Sequence, residues 1–164
     1  PPRPPLQILG CAARDAADAT ALEMLALQLD PQDFRLEQVT SDMLVSEVLE
    51  EVERRQPSVI CVVSLPRGGM SHTRHLCKRL RQRFPKLKIV VGRWGAALTP
   101  ELRDHLADSG ADYTAVTLQQ TCEQLDELSQ FLRPAVLPSA EGTHLRTDGA
   151  HMAEQATLAT AAGS

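Results

Sequence analysis

The stretch Pro57-Ser58-Val59-Ile60-Cys61-Val62-Val63-Ser64-Leu65, PSVICVVSL, decides the fold class of this 164-residue chain. Val59 to Val63 is an unbroken, mostly β-branched apolar run. A strand with no polar alternation must be covered on both faces, which is the condition of a central parallel strand. A second such run, LKIVVG at Leu87 to Gly92, follows it across the segment HTRHLCKRLRQRF, which has helical spacing and is stopped by Pro85. Strand, helix and buried strand in that order form a parallel crossover unit.

The same alternation extends in both directions. Upstream, Leu6 to Cys11 is a short apolar run. Asp15 or Asp18 can cap a following helix with Ala21, Leu22, Leu25, Ala26 and Leu29 on one face. DPQD at Asp30 to Asp33 is a turn, and FRLEQV at Phe34 to Val39 alternates as a half-buried strand does. Ser41 is the expected cap of a second helix carrying Met43, Leu44, Val48, Leu49 and Val52. Downstream, Thr99-Pro100-Glu101 opens a helix that ends at Ser109-Gly110. ADYTAV and LQQTCEQLDELSQFL supply a last strand and a last helix. Five strand–helix units with right-handed crossovers predict an α/β, doubly wound, five-stranded parallel sheet of flavodoxin-like order 2-1-3-4-5.

Residues 6–133 therefore form the expected domain. PPRPP at residues 1–5 reads as the remnant of a Pro-rich linker, and residues 134–164 as a disordered tail. Starting at Pro1 without a Met, the chain reads as a domain cut from a longer polypeptide. No apolar run reaches bilayer length and no signal-peptide pattern opens the sequence. One Trp, one Tyr and three Phe leave the core to Leu, Val, Ile and Ala. Cys11, Cys61, Cys77 and Cys122 form no CxxC pair and match no zinc or disulfide framework, which fits a reducing, cytoplasmic setting.

The net charge of −4 is unevenly distributed: Arg54 to Pro100 holds eleven of the 17 Lys and Arg residues and none of the 21 Asp and Glu. Nucleic-acid binding is not expected, because this basic segment lacks interleaved aromatics or a recognisable module. Anionic lipid headgroups, or a homodimer pairing the basic third helix with the acidic second, are the partners such a segment can take. His72 and His75 lie three apart on one helix, but no third ligand completes a metal set.

In a doubly wound sheet, ligands bind beyond the carboxyl ends of the strands where the order switches. Three loops meet there: Cys11 to Asp15, Ser64 to Ser71, and Gly92 to Leu98. The candidate ligand-binding residues are Cys11, Arg14, Asp15, Ser64, Arg67, Gly68, Gly69, Gly92, Arg93 and Trp94. Ala12 and Ala13 do not supply the Gly, Ser or Thr of a phosphate cradle. Val63-Ser64-Leu65 lacks the Asp at the strand end that receiver-type phosphoacceptor chemistry needs. Cys11 has no His base in prospect, and no acid–base pair or nucleophile constellation supports an enzyme. Arg67 and Arg93 beside Gly-rich backbone either clamp a small anion, or the glycines simply make turns and the arginines are solvated. Trp94 either stacks on a planar ligand or on Arg67, or closes the edge of the core.

The order of these motifs resembles the cobalamin-binding domain family, in which the first strand leads into Asp-x-His-x-x-Gly. Asp15-Ala16-Ala17-Asp18-Ala19-Thr20 falls in that slot, with Ala17 in place of the His and Thr20 in place of the Gly. Ser64-Leu65-Pro66 lies near the family's Ser-x-Leu motif with its Leu displaced, and Gly92-Arg93-Trp94 stands where a Gly-Gly motif is expected. GAALTPELRDHLADSGADYTA is similar to the closing unit, so the resemblance spans about residues 6–132. In the family the His is the lower axial ligand of cobalt. Ala17 has no lone pair to offer, so the resemblance implies no His-on cobalamin. It leaves open a base-on corrinoid, whose nucleotide tail Arg93 and Trp94 would crowd.

VICVVSLPRGG and IVVGRWG are also similar to the cytoplasmic C-terminal appendages of autoinducer-2 exporter-like permeases. The implied role is a non-catalytic sensory or interaction domain at the cytosolic face of the inner membrane, regulating a larger membrane permease. Its implied partners are the parent membrane protein and a small anionic ligand.

Overall fold

The computed structural model describes residues 2–133; the expected tail, 134–164, lies outside them. Ten elements alternate along the chain. They are β1 (Leu6–Ala12), α1 (Ala16–Gln28), β2 (Phe34–Val39), α2 (Val45–Arg55), β3 (Val59–Val63), α3 (Met70–Arg83), β4 (Lys88–Gly92), α4 (Pro100–Asp108), β5 (Tyr113–Ala115) and α5 (Leu118–Leu132). The strands form one parallel sheet in the order β2-β1-β3-β4-β5, a flavodoxin-like α/β fold.

The sheet is buried on both faces, and the two-residue pleat assigns side chains to each. In β3, Val59, Cys61 and Val63 join Ile8, Leu22, Leu25, Val90, Leu125 and Leu128 under α1 and α5. Ile60 and Val62 join Leu9, Val48, Leu49, Leu76, Leu80, Ile89, Val91 and Leu106 under α2, α3 and α4. All five β3 residues are fully buried, as their unbroken apolar run requires.

Local boundaries follow hydrogen-bond competition. Asp15 caps α1, accepting from the Ala17 and Asp18 N–H groups. Helix α2 begins at Val45 rather than after Ser41, because the Glu47 carboxylate takes the Leu44 N–H at 2.7 Å and sets the first turn there. Helix α3 begins at Met70, two residues before His72, since Gly69 (φ +80°) adopts the left-handed turn that aims its carbonyl at the Thr73 N–H. The acidic and basic helices pack side by side within one chain, where Arg83 donates to Glu53.

Candidate functional site

The loops after β1, β3 and β4 meet at the carboxyl end of the sheet, and arginine side chains bind them together. Arg93 leaves the end of β4, its backbone N–H held by the Ala115 carbonyl at 2.7 Å. Its side chain turns inward and is only 8% exposed. There Nη1 donates to the Gly68 carbonyl at 2.7 Å, the Ser64 hydroxyl at 2.8 Å and the Leu65 carbonyl at 3.0 Å. Burial holds the guanidinium below its ordinary pKa, while the nearby Asp18 carboxylate raises it.

The second arginine closes the loop from outside. Arg14 pairs with Asp15 at 2.9 Å, and its Nη1 donates to the Arg67 carbonyl. The hydrogen bond from Arg14 Nε to the Asp15 carboxylate, at 3.0 Å, is the main reason that carboxyl sits below the usual carboxylate range. The segment between is unusual backbone: Arg67, Gly68 and Gly69 have φ of +75°, +113° and +80°. A Cβ on Gly68 would lie 2.4 Å from Arg14 Nη1, and one on Gly69 would lie 2.4 Å from Ser64 Oγ. Glycine is needed at both positions for conformation and for space.

Asp18 ties the first loop to the third strand. It is 2% exposed, and its carboxylate accepts the Arg14 N–H at 3.0 Å and the Leu65 N–H at 2.8 Å. Sequence reading placed it only as an alternative cap. Its spacing with Ala21, Leu22 and Leu25, on the buried stripe of α1, is the signal that identifies it as an interior carboxylate.

The ten candidate residues divide accordingly. Arg14, Asp15, Ser64, Gly68, Gly69 and Arg93 meet in one network. Arg67 is exposed and makes no ion pair among the described residues. Arg93 turns its Nη1 to the Ser64 hydroxyl and the Leu65 and Gly68 carbonyls, while Arg67 stays at the surface. Trp94 does not face a ligand: it is 8% exposed and donates through Nε1 to the Thr121 hydroxyl at 2.8 Å. It closes the edge of the core over Gly92, where a Cβ would lie 2.7 Å from the indole nitrogen. Cys11 is also displaced from the crevice, since pleat parity points it into the cluster beneath α2, α3 and α4. Burial pushes its thiol up to about 12, which favours the protonated form at neutral pH.

The residues present do not fit a cobalt ligand set. Ala17 is an exposed residue in the first turn of α1, and no group of three or more His, Cys, Asp or Glu able to hold a metal occurs among the described residues. No helix among them is long and apolar enough to cross a membrane.

No family model and no curated protein matches the chain. Solved structures do match in fold. A cobalamin-binding protein from Desulfitobacterium hafniense aligns with a TM-score of 0.58 at 12% identity over 74% of this chain and 58% of its own. The monomethylamine corrinoid protein of Methanosarcina barkeri aligns at 0.58 and 17% identity over 74% and 57%. The signal receiver domain of the response regulator NarL from Mycobacterium tuberculosis aligns at 0.56 and 11% over 78% and 98%. The chain thus spans under three-fifths of the two corrinoid proteins and nearly all of the receiver domain. At these identities the likeness is one of fold.

Proposed function

We propose that this domain is a non-catalytic sensory or interaction module that regulates a larger chain, a membrane permease in the reading its motifs support. One observation carries the proposal: the crevice in which this fold class places a ligand is filled by the chain's own Arg93, with Arg14 over it. A guanidinium that supplies the loop's missing donors does the structural work of a bound group. Signalling then passes through the domain's surfaces and through the loops that the arginines hold. The cytosolic face of a membrane is the location this reading implies.

The test is to remove this domain from its parent chain and measure transport. A shifted response with transport itself retained supports regulation, whereas unchanged transport under all regulating conditions overturns it.

A base-on corrinoid domain is the second reading, favoured by the corrinoid-binding proteins among the structural neighbours. Mixing the chain with methylcobalamin, desalting and reading visible absorbance separates the two. The arginine-filled crevice predicts a colourless protein.

A further inference from the structure

We infer that the outer face of α1, with the acidic flank of α5, is a docking surface for an amphipathic helix whose apolar stripe is bordered by Lys or Arg. Helix α1 is apolar on both sides. Its inner face holds Ala21, Leu22 and Leu25, while Met24 and Leu27 on its outer face are 56% and 84% exposed. Exposed Ala16, Ala17 and Thr20 continue that outer surface toward the helix N-terminus with small side chains. A surface helix is expected to be polar on the side away from the core. Here that side carries one charged residue, Glu23.

Charge identifies the occupant. Helices α1 and α5 lie side by side, and neither contains a Lys or Arg. Their exposed charges are Glu23, Glu123, Asp126 and Glu127, all negative. A second copy brought face to face would set these carboxylates against each other, and an anionic membrane or nucleic acid would be repelled. The basic α3 of another copy has the right sign, but its exposed positions, among them Ser71, His72, His75, Lys78, Arg79 and Gln82, include no large apolar side chain to cover Met24 and Leu27. A helix with Leu-like residues toward α1 and cations toward α5 meets both demands. Met24 and Leu27 sit in the half of α1 away from the crevice loops, so the docking residues are distinct from the crevice residues.

The test uses the 164-residue chain and a labelled synthetic peptide of about 18 residues, Leu on one face and Lys on the other, long enough to span α1. A peptide with Glu replacing every Lys is its counterpart. The expected result, read by fluorescence anisotropy, is binding of the Leu/Lys peptide at least about ten-fold tighter than its counterpart. Binding should weaken by about ten-fold or more in Met24→Gln/Leu27→Gln, a loss of the size expected for one or two apolar contacts. An unchanged melting curve is expected for that variant, because both side chains lie outside the core. Glu23→Gln/Asp126→Asn should lower the salt dependence of binding. Equal affinity for the two peptides, or undiminished binding by Met24→Gln/Leu27→Gln, overturns the inference. So does a chain whose self-association, or whose capture by anionic vesicles, is abolished by that double substitution.

Discussion

Replacing Arg93 by Ala tests whether the crevice is a latch or a vacant grip. Three acceptors converge on Nη1, the Gly68 carbonyl, the Ser64 hydroxyl and the Leu65 carbonyl. A hydrogen bond to a charged partner contributes about 1.5–3 kcal/mol, and one Nη1 has two hydrogens, so two such bonds set the scale at about 3–6 kcal/mol. Two opposing effects reduce it. The guanidinium is costly to bury, as its lowered pKa records, and water entering the vacated space can rehydrate part of the loop. The expected net loss is about 2–4 kcal/mol, which for an ordered domain of this size lowers the melting temperature by roughly 8–15 °C. Arg67→Ala, removing an exposed guanidinium without an ion pair, should change stability by less than about 0.5 kcal/mol. Urea unfolding of both variants gives the comparison, and hydrogen exchange localises it: amides of residues 64–69 should exchange faster in Arg93→Ala. A melting temperature for Arg93→Ala within about 2 °C of the parent would show that the loop holds itself without the arginine, and the latch would be refuted.

Other outcomes follow from the same geometry. Asp18→Ala strips the acceptor from two backbone N–H groups, those of Arg14 and Leu65, and should cost about 2–3 kcal/mol in urea unfolding, with Asp18→Asn recovering part of it. Gly92→Ala forces the Trp94 indole off its seat and away from Thr121. A loss of about 2–3 kcal/mol and a red shift in the emission of this single tryptophan are expected. Burial raises Cys11, Cys61 and Cys77 from 9.0 to about 12, so the unfolded chain gives up these protons first as pH rises. Their stabilising contribution is complete below pH 9 and then falls by about 1.4 kcal/mol per thiol per pH unit. Cys61→Val should reduce that slope by about one thiol's share, measured by urea unfolding at stepped pH. Cys122 is the half-buried thiol and should be the one that reacts with a disulfide reagent in the native state at pH 8.

The fold was legible because burial on both faces leaves its mark on composition. Val59 to Val63 and Ile89 to Val91 have no polar alternation, and only a doubly covered parallel strand tolerates that. Strand order then follows from crossover handedness. The site was less legible. Cys11 was placed at the crevice by nearness to the strand end, whereas pleat parity with Leu9 sends it into the opposite core cluster. Arg93 and Trp94 lie on the loop after β4, but sequence does not reveal which way a long side chain turns. That direction is set by acceptors 25–29 residues away, for Arg93, and by the Thr121 hydroxyl 27 residues away, for Trp94. Glu47 displaced Ser41 as the residue that sets the start of α2, because its side chain reaches the Leu44 N–H directly.

A loop with three successive left-handed residues turns its carbonyls toward the interior, and such carbonyls need donors. In an open crevice a ligand or water can supply them. Here Arg93 supplies Gly68 and Leu65 from below, and Arg14 supplies Arg67 from outside. Both arginines are part of the chain, so these carbonyls have donors without a bound ligand. A domain arranged this way can still respond, but through forces applied elsewhere. The exposed apolar side chains of α1 offer such a lever: α1 carries Asp18, whose carboxylate holds the Leu65 N–H at the start of the same loop. A partner helix that tilts α1 would pull on that bond. Coupling of this kind predicts that saturating Leu/Lys peptide slows or speeds exchange at residues 64–69 in the parent chain but leaves it unchanged in Asp18→Ala. Equal responses in the two proteins would mean that α1 and the crevice act independently.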